Sequence, residues 1–418
     1  MLTATQIFTT VFLVALITTS LLKLWLARRH QQHVAAHRAE VPEAFREIIT
    51  LAAHQKAADY TAAKLRLGFI DIGTGTLFAL LLTLGGLLQA LHTGLSSLFA
   101  EGGYAHGIAF IASVTILSSL LDLPLTLYRT FVVEEKFGFN KMTLRLWIID
   151  SIKGAVLGAA VGLPVLLSVL WLMAKMGPNW WLYVWLFWMG FNLLVLLIYP
   201  TLIAPIFNKF SPLSDATLKE RIEALLIRCG FRVSGLFVMD GSKRSAHGNA
   251  YFTGFGAAKR IVFFDTLLEK LQPEEIEAVL AHELGHYKHR HVWQRIGLLA
   301  LMSLGFLWIL GVLIAQPWFY NGLGMASQST AAALVLFGMV VPLFTFPFSP
   351  LMSTLSRKHE YQADAYAAKQ TRALDLINAL VKLYRDNAAT LTPDPLYSTF
   401  YDSHPPAAAR IAQLRVLS

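Results

Sequence analysis

Seven stretches of nearly continuous apolar residues constrain this chain more than any other feature. They lie at 4–26, 68–91, 103–124, 153–174, 180–204, 294–315 and 330–352. Each approaches the roughly 20 residues that a helix needs to cross the hydrocarbon core of a bilayer. Backbone polar groups find no water there, so such runs fold as helices. Only 15% of the residues are charged, against about 25% in a soluble domain. The expected class is an all-α multi-span membrane protein with seven transmembrane helices. The first run resembles a secretory leader in place only: Met1 to Gln6 contains no Lys or Arg, and no small-residue cleavage site stands out. A retained span is the better reading.

Charge placement gives an independent handle on topology. The segment from Ala27 to Arg66 contains Arg28, Arg29, Arg38, Arg46, Lys56, Lys64 and Arg66. The third connection carries Arg129, Lys136, Lys141 and Arg145, the fifth Lys209, Lys288 and Arg290, and the tail opens with Arg357 and Lys358. The connections between these hold Lys175 alone. Basic residues gather on the cytoplasmic side, so the N-terminus is expected outside and the C-terminus in the cytoplasm. The same alternation accounts for the net charge of +9 without nucleic acid, for which no basic module is present. The division expected is a membrane region over 1–204, a cytoplasmic segment over 205–293, two spans over 294–352 and a cytoplasmic segment over 353–418. Asp71, His106, Asp150, Lys153 and Asn192 fall within or beside spans. Such groups face a bundle interior or a wet cavity, or sit at a misplaced boundary. The single cysteine, Cys229, excludes an intrachain disulfide and reads as a packing residue at a helix end.

The chemistry concentrates in one motif. Leu271-Gln272-Pro273-Glu274-Glu275 opens a helix that runs into His282-Glu283-Leu284-Gly285-His286. Residues four apart share a helical face, so His282 and His286 can grip one Zn²⁺ while Glu283 serves as base. A catalytic zinc site takes three protein ligands and keeps one position open. The tail offers Glu360 as the third, and Asp364, on the same face, as acceptor for the outer N–H of a ligand histidine. His359 is the competing ligand, pointing off that face. His289 and His291, after the motif, read more simply as part of a basic aromatic belt at the interface than as a second metal site.

Together these residues resemble the type I CAAX prenyl endopeptidases, seven-span zinc proteases. The match is carried by Phe131 to Lys141, by Ile203 to Phe210, by His247-Gly248-Asn249-Ala250-Tyr251-Phe252, by the HExxH motif with Arg357, Glu360 and Asp364, and by Tyr401 to Pro406 with Arg410. The resemblance implies a chamber within the seven helices and a small α+β zinc protease domain on the cytoplasmic side. It implies a peptide or protein substrate, prenylated at its C-terminus in eukaryotic members, which lose their last three residues. It implies that Asn249 and Ala250 lie on an edge strand that pairs with substrate, strand addition being a general mode of peptide capture. It also implies that His404 and Arg410 steady the oxyanion. The chain shows no di-lysine or KDEL-type ending, so a bacterial inner membrane is expected rather than the endoplasmic reticulum. Membrane lipid is the other expected partner. Two rival readings stay open: a quality-control protease without a prenylated substrate, and a transporter or scaffold with a vestigial zinc site.

Overall fold

In the computed structural model, which describes residues 1–253 and 259–417, seven helices are long and apolar enough to cross a membrane. The first runs from Ala4 to Ala36, opened by a reciprocal cap between Thr3 and Gln6. The second runs from Leu51 to Leu82. Here the sequence expectation of 68–91 is corrected. The helix ends before Gly85 and Gly86, and Gly86 adopts φ +76°, a conformation open to glycine. A separate short helix, Leu87–Ser96, continues the apolar run, so hydropathy alone read straight through the turn. The remaining spans centre on Tyr104–Tyr128, Leu144–Lys175, Trp180–Ile198, His291–Leu313 and Thr330–Thr345. Apolar side chains such as Val14, Ile17, Ile152, Val156, Leu299 and Leu301 stand exposed on these helices. In water that surface would be unfavourable at about 25 cal/mol per Å²; in lipid it is not.

Polar residues in the spans meet different fates. Asp150 pairs with Arg244 at 2.8 and 3.1 Å, and Lys153 donates to the carbonyl of Ile206 at 2.8 Å. His106 is buried against Ser96 and the carbonyl of His92. Asn192 is exposed and donates to its own helix, to the carbonyl of Trp188. Asp71 lines a cavity described below.

Between the fifth and sixth spans lies a four-stranded sheet in the order β1-β2-β4-β3, with β1 at Phe210–Pro212, β2 at Gly235–Met239, β3 at Ala250–Thr253 and β4 at Arg260–Phe264. β2 and β4 are parallel, and the other two pairings antiparallel. β3 is therefore an edge. Ile261 and Phe263 of β4 pack with Ile276, Leu280 and Leu284 of the helix Pro273–Lys288 in one buried cluster. Cys229 closes the helix Ala216–Cys229 at Gly230, as the sequence suggested, with its thiol near Gln370.

The stretch Phe131 to Lys141 braces the turn that leads into β3. Phe139 stacks on His247 at 4.3 Å, and Asn140 bridges to Ser245. Arg244 reaches back to Asn208 and to the carbonyl of Phe207.

Candidate metal centre

The HExxH helix, Pro273–Lys288, begins at Gln272, whose side chain and that of Glu275 cap each other's backbone N–H groups. It packs against the helix Ser349–Gln370, which follows the seventh span after a short turn containing Pro347. Gly285 sets how closely the two approach. A β-carbon there would lie 2.8 Å from the α-carbon of Ala363, closer than real contacts allow. That approach brings Glu360 to the two histidines. His282 Nε2 and His286 Nε2 are 3.2 Å apart, and each is 3.4 Å from a Glu360 oxygen. Three donors about 2.0–2.2 Å from a tetrahedral ion lie roughly 3.3–3.5 Å from one another. The three groups thus fit one small cation.

Two further observations support the fit. Glu360 Oε2 is buried without a hydrogen-bond partner, a costly condition unless something positive completes it. The cluster also favours positive charge at His282. Burial opposes charging that ring, yet the Asp364 carboxylate that it donates to, with the Glu360 carboxylate close by, raises its pKa to about 9. Burial holds His286 neutral, down at about 3.

The outer nitrogens are held as well. His282 Nδ1–H donates to Asp364 Oδ1 at 2.8 Å, the arrangement expected for Asp364. Arg410 grips the same carboxylate with two bonds of 2.8 and 2.6 Å, and both groups are buried. On the other ring, His286 Nδ1 is 3.0 Å from His291 Nδ1, and His291 Nε2–H donates to Gln362 Oε1 at 2.9 Å. That second bond leaves His291 Nδ1 bare, so it accepts from His286 Nδ1–H. With an ion bound, both rings would then offer an Nε2 lone pair on the side of Glu360. The belt reading is corrected here for His291, which is buried; His289 is exposed beside it. His359 does not join the cluster. It stacks on His291 at 3.9 Å and meets Gln294 at 2.9 Å.

Glu283 makes no hydrogen bond or ion pair among the described residues, and burial raises its carboxyl above the usual value. It lines a cavity of about 200 Å³ together with His282, Glu360, Asn249, Ala250 and Arg410. Ala250 opens β3 and Asn249 precedes it, its side chain accepting from the N–H of Ala250 at 2.9 Å. The start of β3, which pairs with β4 alone among the described residues, thus lines the cavity beside the metal cluster. His404 stands with Nε2 3.5 Å from Glu360 Oε1, while its Nδ1 is met by Ser403 Oγ at 3.0 Å. Burial lowers its pKa. Arg357 lies outside the cluster and bonds the carbonyls of Ser398 and Asp402, anchoring the tail that carries His404. A second cavity, of about 880 Å³, shares Asn387, His404 and Arg410 with the first and extends to the first two spans.

Seven apolar helices carrying a His–His–Glu cluster with a free glutamate beside it define an integral-membrane metallo-endopeptidase. The family descriptions "CAAX prenyl protease N-terminal, five membrane helices" and "Peptidase family M48" match residues 30–209 and 212–418. The chain belongs to peptidase family M48, among its CAAX prenyl proteases. It is 40% identical over 330 residues to CAAX prenyl protease 1 of Saccharomyces cerevisiae, covering 75% of this chain and 73% of that one. It is 33% identical over 451 residues to the CAAX prenyl protease 1 homolog of Homo sapiens, covering 96% and 94%. The crystal structure of S. mikatae Ste24p superposes with a TM-score of 0.91 at 32% identity, covering 99% of both chains.

Proposed function

We propose that the chain is a zinc endopeptidase that removes a short C-terminal peptide from prenylated, membrane-associated proteins. The observation that carries the catalytic reading is the trio of donor atoms 3.2–3.4 Å apart with Glu283 alongside. A two-histidine, one-carboxylate donor set suits zinc and leaves a fourth position open. In this reading His282, His286 and Glu360 hold the ion, and Asp364 orients His282. Bound there, zinc acts as a Lewis acid and lowers the pKa of water toward about 7. Glu283 takes a proton from the attacking water on its carboxylate and passes it to the leaving amine. His404 Nε2–H and Arg410 donate to the oxygen that becomes negative. Asn249 and Ala250 receive the substrate backbone along the outer edge of β3.

The CAAX preference is supported by the names of the relatives, and the sidedness by the alternation of basic connections. We accordingly assign residues 205–293 and 353–418 to the cytoplasmic face, with 1–204 and 294–352 as membrane regions and the N-terminus outside. The membrane of residence expected is a bacterial inner membrane.

The test is cleavage of a farnesylated CAAX peptide beside its unprenylated twin by the detergent-purified chain. Faster cleavage of the prenylated peptide supports the reading. Equal cleavage of both shifts the role to general membrane proteolysis. Cleavage of neither contradicts it.

A further inference from the structure

The larger cavity carries a cation that the chemistry at the metal cluster leaves unused. Lys64, on the second span, lines it, as does Lys23 on the first. Among the described residues Lys64 has no ion pair and no hydrogen bond; its ammonium lies 4.1 Å over the ring of Tyr60. The carboxylate that influences it is Glu134. That group is already engaged, accepting from the Tyr60 hydroxyl and standing 3.6 Å from His247 Nε2. Asp71 lines the same cavity, but seven residues along a helix are about 10 Å, beyond ion-pair reach. Lys64 is exposed, its ammonium open to whatever enters the cavity that it lines. In a span it marks a site whose partner arrives from elsewhere.

The layout says what arrives. Gly248 N–H donates to Asn387 Oδ1 at 3.2 Å, and His247 Nδ1 meets the same oxygen at 3.2 Å. Asn387 lines both cavities. The entry to β3 is thus tied through His247 and Glu134 to the wall that bears Lys64. A substrate strand adding antiparallel to the outer edge of β3 would run its C-terminal half toward Asn249 and Gly248, which line the smaller cavity, and past Asn387, His404 and Arg410, which that cavity shares with the larger one. Three extended residues span about 10 Å. A carboxylate three residues past the cut would enter the space that Lys64 lines.

We propose that Lys64 binds the C-terminal carboxylate of the substrate, so that the position of the cut is measured from the chain end. This rests on the C-terminal cleavage proposed above. The ammonium offers three donors to the carboxylate, and Lys23 adds positive potential in the same cavity. Lys64 touches neither the metal cluster nor Glu283, so its role is in binding.

The test uses two otherwise identical CAAX peptides, one ending in a free carboxylate and one in a carboxamide. Purified wild type, Lys64→Met and Lys64→Arg are compared by kcat/KM. A charged hydrogen bond predicts that wild type prefers the acid by roughly 10- to 100-fold. Lys64→Met should cleave both peptides at the wild-type amide rate, which also shows that it folds. Lys64→Arg should recover part of the preference. A measurement without any variant is inhibition of wild type by the product tripeptide against its amide, which should show the same ratio. Equal use of acid and amide by wild type overturns the proposal while leaving C-terminal proteolysis intact. So does an acid preference that survives in Lys64→Met. If wild type cleaves neither peptide, the proposed function falls and this subsite with it.

Discussion

Replacing His291 by Phe tests whether the outer nitrogen of His286 needs its partner. His291 is buried, accepts from His286 Nδ1–H at 3.0 Å and is itself fixed by Gln362 at 2.9 Å. Phenylalanine would keep the ring stacked on His359, whose centroid is 3.9 Å away, so little packing is lost. What disappears is the acceptor. A buried donor left unpaired costs about 1–3 kcal/mol. Loss of an outer partner of a ligating histidine typically lowers metal affinity 10- to 100-fold, which is about 1.4–2.7 kcal/mol. The two estimates agree because the His286 ring can relieve the orphaned N–H only by turning Nε2 away from Glu360. The assay is competition for zinc against a chromogenic chelator, using the detergent-purified full chain. His359→Phe serves as control, since it keeps the stack and leaves the pair of histidines untouched. A drop of at least tenfold for His291→Phe, with little change for the control, is expected. Unchanged affinity in His291→Phe would refute the reasoning.

Other outcomes follow from the same geometry. Gly285→Ala forces a β-carbon into the backbone of Ala363, so a loss of about 1–3 kcal/mol from overpacking is expected. Glu360 should move away from the histidines as well, so calorimetry and zinc titration should both register the change; unaltered melting and affinity would contradict it. Stripping the metal with a chelator should abolish peptidase activity and lower the melting temperature, and zinc should restore both. A metal-free chain at full activity would exclude the metal reading. Burial tends to raise the carboxyl of Asp394, but the N–H of Tyr397 and Arg29 outweigh it and hold the group below its usual value. This tie between the first span and the tail is therefore present above about pH 4 and fades as pH falls through the lowered pKa. Asp394→Asn, which keeps the helix cap, should be less stable than wild type near neutrality, and the gap should shrink on acidification. A gap that stays constant with pH would count against the ion pair.

Much of this was legible in the sequence, for reasons that can be traced to particular residues. Hydropathy located all seven spans because a bilayer imposes length and polarity directly. It failed at the end of the second span, where Leu87 to Leu91 continue the apolar run beyond a turn made by Gly85 and Gly86. The i, i+4 spacing of His282 and His286, and of Glu360 and Asp364, was enough to group them, because each pair lies on one helix. No helical rule relates His286 to His291. They meet because the first helix stops and Arg290, at φ 58°, turns the chain back before the sixth span begins. The extra histidines after the motif were the available signal, and an interface belt explained them too easily. Arg410 meets Asp364 across helices far apart in the chain, and only the resemblance pointed to it. Lys64 counted in the sequence as one of several basic residues of the first connection. Its cavity arises from packing between the first two spans and the tail, which hydropathy does not report.

The central claim is that Glu283 performs proton transfer beside a metal held by other residues. It is tested most directly by one paired measurement on Glu283→Gln, zinc content and turnover of a CAAX peptide in the same preparation. Glutamine preserves the size of the side chain and cannot take a proton, and a positioned base contributes roughly 10²- to 10⁴-fold. The account predicts about one zinc per chain, as in wild type, with kcat reduced by at least a hundredfold. A zinc-replete variant that turns over at the wild-type rate would contradict it.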